Sequence, residues 1–447
     1  MDIVIAGDGE VGFFLAKILT EGDHNIVVID PNEDLIKRLE SEADVMAIKG
    51  DSTSLLVLDE ANVAKADLLI SVLHEEKSNI LTCILGKKMG VKRTIARINS
   101  VEYLTERNKN FFKELGIDEL IAPEVIAANE IVSLLKQTAA TEVVNFSGGK
   151  LQMLQIRLSK DAPVTGKSLL EVTKEYPDLN FRTVALHRKG KTIIPKAHDR
   201  FLSNDLLYII TKPDAVELLI ELSGRERFSI SNVMIVGAGR IGRKTARELQ
   251  GHKNVKLIDI NRQRSEEAAA LLAKTLVING DAHNVQLLEN EGIGRMDAFI
   301  AVTQDSEINI FSCLLALRYG VKKVIPLIEN IDYIDIAQNI GIETAINKKL
   351  ITASYIARFT MNVEVESVTF LSGIDADALE FIVKEGAPIT KKPLRKISMP
   401  EGAIIGGYIR QNRGYIAIGE TVFLQGDKVV VLSLPHVVSK VEKLFNK

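Results

Sequence analysis

Two glycine-rich runs carry the chemistry this chain can do. Gly7-Asp8-Gly9-Glu10-Val11-Gly12 follows the apolar run Val4-Ile5-Ala6, and Gly237-Ala238-Gly239-Arg240-Ile241-Gly242 follows Val233-Met234-Ile235-Val236. Both have the spacing that cradles a pyrophosphate. The first glycine permits a tight strand-to-helix turn, the second lets the backbone approach the phosphates, and the third lets the helix pack close to the sheet. The phosphates then lie on free N–H groups at a helix N-terminus, where the helix dipole favours negative charge. A carboxylate about 20 residues further on, at the end of the second strand, accepts the ribose hydroxyls of such a ligand. Asp30 closes Asn25-Ile26-Val27-Val28-Ile29, and Asp259 closes Val255-Lys256-Leu257-Ile258. The same carboxylates repel a 2′-phosphate, so the pattern favours NAD(H) over its phosphorylated form.

The correspondence at an offset of 230 residues runs far beyond the fingerprint. Gly50-Asp51 matches Gly280-Asp281, each pair at the mouth of a third strand. Asp67–Val72 matches Asp297–Val302 as a fourth strand, and Asn79–Leu85 matches Asn309–Leu315 on the next helix. Gly90 and Gly320 cap that helix and precede a fifth strand. The chain is therefore an internal duplication. Strand and helix alternate in each copy, which predicts an α/β fold: two Rossmann-like, doubly wound parallel sheets with helices on both faces. Ligands of such sheets bind beyond the carboxyl ends of the strands, where the strand order reverses. Every motif named here falls at that edge.

The segments after each α/β part read differently. Met153–Leu158, Arg182–His187 and Asp205–Ile210 are short strands, followed by Lys212-Pro213 and a short amphipathic helix. Phe381–Val383, Ala403–Arg410 and Asp427–Leu432 repeat that order, with Ser203-Asn204-Asp205 and Gln425-Gly426-Asp427 as matching turns. The organisation predicted is a first nucleotide-binding domain over 1–123 with a crossover helix to about 140, and a small α+β domain over 141–223. A second nucleotide-binding domain follows over 229–350, with a crossover helix to about 362, and then a second small α+β domain over 363–447. Ser223–Arg227 is the expected hinge between halves.

Composition narrows the class of function. The formal net charge of −3 argues against a general nucleic-acid binder. No apolar run reaches the roughly 20 residues of a membrane helix, and Asp2 precedes a short strand rather than a signal-peptide core, which predicts a cytoplasmic chain. Cys83 and Cys313 occupy equivalent helix positions and read as small apolar packing groups. A dinucleotide fold is often part of a dehydrogenase, which needs a proton-transfer group beside the nicotinamide. None of the seven histidines has zinc-ligand spacing or an obvious carboxylate partner. Tyr208…Lys212 and Tyr319…Lys323 match a Tyr-x-x-x-Lys pattern, but one runs into Pro213 and the other straddles Gly320, so neither has helical geometry. The residues describe a nucleotide pocket with no reaction and no metal attached.

The domain order, both fingerprints, both Gly-Asp pairs and the small domains together resemble the TrkA family, cytosolic regulatory subunits of bacterial Trk potassium uptake systems. Each half is similar to an RCK unit, a regulator of potassium conductance. The resemblance covers nearly the whole chain. Its most specific part is the domain order, since the glycine fingerprint alone is shared by many oxidoreductases. It implies a homotetramer, peripheral on the cytosolic face of the inner membrane, beneath an integral membrane potassium transporter subunit of the TrkH/TrkG type. It also implies NAD(H) and ATP or ADP as ligands, with no catalysis. Carried over residue by residue, it assigns the first site to Gly7, Asp8, Gly9, Glu10, Val11, Gly12, Asp30, Gly50, Asp51, Ser52 and Arg97. The second site is Gly237, Ala238, Gly239, Arg240, Ile241, Gly242, Asp259, Gly280 and Asp281. Arg97 ends the fifth strand, where the family often has an arginine facing phosphates; Leu327 stands there in the second copy, which instead has Arg240 where the first has Glu10. Two other readings fit the residues: an NAD-dependent oxidoreductase, or a soluble nucleotide sensor with a non-membrane partner.

Overall fold

The computed structural model describes the chain except for Asp8, 21–23, 137–141, Asp178, 189–190, 226–227, 362–364, 372–373, Asp375 and Lys447, and the side chain of Glu142. Its first part alternates β1 (Asp2–Ala6), α1 (Glu10–Leu19), β2 (Asn25–Asp30), α2 (Glu33–Glu42), β3 (Met46–Lys49), α3 (Leu55–Glu60), β4 (Leu68–Ser71), α4 (Glu76–Met89), β5 (Arg93–Arg97), α5 (Glu106–Glu114), β6 (Glu119–Ile121) and α6 (Pro123–Lys136). The six strands form one parallel sheet in the order β3-β2-β1-β4-β5-β6. Ile3–Ala6 and Leu68–Ser71 are buried throughout, as a parallel sheet covered on both faces requires. The order reverses between β1 and β4, so the crevice opens at Gly7 and at Val72.

The first small domain comprises β7 (Glu142–Phe146), β8 (Leu151–Arg157), α7 (Leu169–Glu175), β9 (Phe181–Arg188), β10 (Lys191–Ile193), β11 (Leu206–Thr211) and α8 (Val216–Leu222), its sheet antiparallel in the order β10-β9-β11-β8-β7.

The second α/β part runs β12 (Asn232–Val236), α9 (Arg240–Leu249), β13 (Asn254–Asp259), α10 (Arg262–Leu271), β14 (Thr275–Asn279), α11 (Val285–Asn290), β15 (Ala298–Ala301), α12 (Ser306–Arg318), β16 (Lys323–Pro326), α13 (Asp332–Asn339) and α14 (Lys348–Ala357). Its parallel order is β14-β13-β12-β15-β16. The counterpart of β6 is reduced to a single bridge between Leu327 and Ile346. The second small domain has β17 (Val365–Phe370), β18 (Asp377–Ile382), β19 (Ala403–Arg410), β20 (Arg413–Ile416), β21 (Lys428–Ser433) and α15 (Val438–Phe445), ordered β17-β18-β21-β19-β20. Read from the other edge, this is the topology of the first small domain. The two matching turns have one structural job. Asp205 and Asp427 are buried and each takes a two-pronged contact from an arginine: Arg188 Nε and Nη2 at 2.7 and 2.6 Å, Arg410 Nε and Nη2 at 2.8 and 2.6 Å.

Two compact units result: residues 1–126 with 348–362, and residues 127–347 with 363–447. In the first unit, α1 packs against α14. In the second, the two small sheets share a core. Tyr208 and Ile210 lie with Ala378, Val430 and Leu432, while Leu207 and Ile209, pointing to the opposite face of β11, pack with Val216, Leu219 and Ile220. Gly406 permits the close approach of the sheets, since a Cβ there would stand 2.1 Å from Ile210 Cδ1. Ser223 is buried and Arg225 is held by Glu343 at 2.7 Å; the rest of the expected hinge, Glu226 and Arg227, lies outside the described residues.

Candidate functional site

The first and third glycines of each fingerprint touch. A Cβ built on Gly12 would lie 3.1 Å from Gly7 Cα, and one on Gly242 only 1.9 Å from the Gly237 carbonyl oxygen. The fit is tight at Gly12 and leaves no room for a side chain at Gly242. Gly237 also has φ 103°, in the left-handed region. Gly9 and Gly239 are the N-cap positions of α1 and α9, and neither helix has a side-chain cap. A helix start without a side-chain cap is an arrangement an anion can satisfy. A Cβ at Gly239 would meet nothing within 4 Å, so that loop faces open space. At Gly9 the same atom would lie 3.1 Å from His74 Cε1. Asp8 lies outside the described residues.

Asp30 and Asp259 are nearly fully buried at the strand ends, as the fingerprint requires. Asp30 Oδ1 accepts the Asn32 N–H at 2.7 Å. Asp259 Oδ1 accepts the Asn261 N–H at 2.7 Å, and its Oδ2 accepts the Ala238 N–H of the glycine loop at 2.6 Å. A carboxylate oxygen has two lone pairs, so these bonds orient the Asp259 carboxylate without exhausting it. The Gly-Asp pairs lie beside the carboxylates: the Gly50 N–H donates to the Asp30 carbonyl at 3.2 Å and the Gly280 N–H to that of Asp259 at 2.9 Å. Asp51 accepts the Thr53 N–H and hydroxyl, both at 2.8 Å, which holds its carboxyl below the usual range. Asp281 is held down in the same way by His283, whose N–H and Nδ1 lie at 2.9 and 2.8 Å. Ser52 is buried and its hydroxyl turns inward to Thr82 Oγ1 at 3.0 Å, so its side chain does not face the crevice.

Arg97 is engaged by a protein partner, while Glu10 and Arg240 stand at the starts of α1 and α9. Arg97 Nη2 donates to Glu124 Oε1 at 3.0 Å, both side chains being about nine-tenths buried. A buried guanidinium needs a carboxylate partner, and Glu124 meets that need where a phosphate was expected. Glu10, the first residue of α1, is half exposed and pairs with Arg38 at 3.0 Å and with Lys349 of α14 at 3.3 Å. Arg240 is exposed at the start of α9, and Leu327 is buried. Val11 is half-buried, while Ala238 and Ile241 are buried behind the second loop.

Four further residues, Asn79, Asn309, His74 and Lys349, carry no fingerprint of their own. Asn79 Nδ2 donates to the Leu73 and Arg97 carbonyls, both at 2.9 Å, tying the end of β4 to that of β5; Asn309 does the same with Thr303 and Leu327 at 3.2 and 2.8 Å. Their matched positions in the duplication were the available signal. His74 has glutamine (Gln304) as its counterpart, and Lys349 comes from a distant segment. Tyr208 is buried in β11 with Gln155 Nε2 at 2.6 Å from its hydroxyl, far in character from a catalytic tyrosine. Cys83 and Cys313 are fully buried, which pushes both thiols well above their ordinary range. Among the described residues no group of three His, Cys, Asp or Glu could hold a metal ion, and no helix is long and apolar enough to cross a membrane.

Comparison with known proteins agrees with this architecture. The TrkA-N domain family model matches residues 3–123 and 233–348, and the TrkA-C domain model matches 153–224 and 378–446. The chain is 31% identical over 454 residues to Trk system potassium uptake protein TrkA homolog 1 of Methanosarcina mazei, covering all of both chains. It is 31% identical over 451 residues to Trk system potassium uptake protein TrkA of Vibrio alginolyticus, covering all of this chain and 98% of that one. Among solved structures, the GsuK RCK domain superposes with a TM-score of 0.60 at 18% identity, covering 99% of this chain and 94% of that one. The GsuK channel bound to NAD superposes at 0.61 and 20% identity, covering 99% and 78%. These last two likenesses are of fold.

Proposed function

The chain belongs to the TrkA family, and from that premise we propose that it is a nucleotide-responsive regulatory subunit of a potassium uptake system. It binds NAD(H) and ADP or ATP at its two glycine loops, assembles as a homotetramer, and acts on the cytosolic face of the membrane on an integral potassium-transporting subunit. The potassium uptake role rests on the relatives. The ligand class rests on the site, and a solved structure of like fold is that of the GsuK channel bound to NAD.

One observation carries the ligand assignment. Twice in one chain, an uncapped helix N-terminus behind a glycine turn stands beside a buried aspartate at the point where a parallel sheet reverses its order. The glycine loop receives the phosphates, and Asp30 or Asp259 receives the ribose hydroxyls. That binding, not turnover, is the event the cell reads is supported by the relatives, which are named as potassium uptake proteins. For binding to have an effect, the nucleotide must prefer one arrangement of the protein over another; equal affinity for both shifts nothing.

Calorimetric titration of the full-length chain with NADH and with ADP tests this, alongside Asp30→Ala, Asp259→Ala and the double variant. Binding that is reduced in each single variant and lost in the double supports the assignment. A double variant that binds as the unaltered chain does would remove both sites. Steady oxidation of NADH by a small oxo acid, lost in the double variant, would favour an oxidoreductase instead.

A further inference from the structure

We propose that Lys349, which enters from the second half of the sequence, is a phosphate-binding residue of the first nucleotide site, and that Glu10 holds its place until the phosphate arrives. This rests on the nucleotide reading of that site. Lys349 is the second residue of α14, and α14 packs against α1 within the unit formed by residues 1–126 and 348–362. Its side chain is only 13% exposed, and its ammonium lies 3.3 Å from Glu10 Oε2. Glu10 is the first residue of α1, directly after Gly9 of the phosphate loop.

A mostly buried ammonium at this point is costly unless an anion faces it. The start of α1 is itself a positive helix end, and so is the start of α14 on which Lys349 stands; both disfavour a cation. The carboxylate of Glu10 answers two cations at once, Lys349 and Arg38, the latter at 3.0 Å. Glu10 is half exposed and Arg38 has a second acidic partner in Glu42 at 2.9 Å. The carboxylate can therefore swing outward with Arg38 while the buried ammonium stays. A diphosphate on the glycine loop occupies the space Glu10 leaves and supplies the anion Lys349 needs.

The pairing also removes a difficulty in the first loop. An unpaired Glu10 beside the phosphate position would repel a polyphosphate. Paired with Arg38 and Lys349 its charge is balanced, and on exchange it swings away so that the Lys349 ammonium faces the phosphate. The exchange fastens α14 to the first nucleotide domain through the ligand.

The test uses the full-length chain in an Asp259→Ala background, in which the second site is weakened and the tighter binding phase reports the first. ADP is titrated into this chain and into versions that also carry Lys349→Met, Lys349→Arg or Glu10→Gln. Loss of one charge-assisted hydrogen bond predicts ADP binding weaker by about tenfold or more in Lys349→Met, largely restored in Lys349→Arg. It predicts tighter binding in Glu10→Gln, where the competing carboxylate is gone. Amide exchange across α14 should slow on adding ADP to the background chain and stay unchanged in Lys349→Met. ADP affinity equal in the Met variant and the background, with α14 exchange indifferent to ADP in both, would overturn the proposal. An Asp30→Ala/Asp259→Ala chain that still binds ADP undiminished would instead overturn the underlying nucleotide reading.

Discussion

Single residues divide here into those that face a ligand and those that hold the frame. On the function proposed above, Asp30 and Asp259 are of the first kind. Changing either to alanine should then remove a charge-assisted contact to a ribose hydroxyl, which costs about 1.5–3 kcal/mol. Calorimetry of either single variant should therefore show one of two NADH sites weakened by about tenfold to a hundredfold, with the other unchanged. Lys323 is of the second kind. It is buried in β16, its ammonium 3.1 Å from Thr344 Oγ1, and burial pushes its pKa down to about 8. Its counterpart Arg93 instead reaches the Phe359 carbonyl at 2.9 Å. A base whose folded pKa is depressed binds fewer protons folded than unfolded between that value and its ordinary one, so its penalty is full below about pH 8 and is relieved as pH rises further. Lys323→Met should then unfold at a higher temperature than the unaltered chain at pH 7, and the gap should shrink by pH 9.5. A gap that is constant with pH would mean that the ammonium is not what strains the site.

Elements are where reading the residues succeeded and where it stopped. Paired glycines, the aspartates ending β2 and β13 and the alternating pattern were enough to place two parallel sheets and to bring those residues to one sheet edge, because each signal is local and each appears twice. Arg97 shows the limit. Its strand position was legible, but its partner Glu124 stands at the start of α6, beyond a helix and another strand, and nothing local to either residue announces the pair. Edge strands β7, β10, β17 and β20 were missed for a related reason: each is paired on one side only, so its place depends on hydrogen bonds from a neighbouring strand rather than on a local apolar pattern. The two glycine turns, alike in sequence, also differ in tolerance. A Cβ at Gly12 has to displace its neighbour by a few tenths of an ångström, whereas one at Gly242 collides with a carbonyl oxygen 1.9 Å away. Gly242→Ala should thus cost about 1–3 kcal/mol and Gly12→Ala clearly less, as read by denaturant unfolding. Equal costs would show that the second turn relaxes freely.

For the whole molecule, the telling features are contacts made between distant parts of the sequence. Glu380 of β18 is fully buried and accepts the Ser147 N–H at 3.2 Å, the Ser147 hydroxyl at 2.5 Å and the Ser367 hydroxyl at 3.2 Å, joining the two small domains. Burial raises its carboxyl above the ordinary range, despite the serine hydrogen bonds that oppose the rise. The folded chain therefore holds a proton that the unfolded chain releases as pH climbs past the usual carboxylate range, so stability falls across that interval and the penalty is full above it. Glu380→Gln should flatten the thermal midpoint between pH 5 and pH 8 and be at least as stable at pH 8; a midpoint that drops equally at both pH values would show a packing role alone. The account stands or falls on whether a bound nucleotide matters to potassium. Rubidium uptake, measured in cells of the source organism lacking this chain and supplied with either the unaltered protein or the Asp30→Ala/Asp259→Ala form, addresses that claim most directly. The account predicts that the unaltered chain restores rapid uptake and that the double variant, present at the same level and with the same thermal midpoint, does not restore regulated uptake. Uptake that is the same with no chain, with the unaltered chain and with the double variant would contradict it.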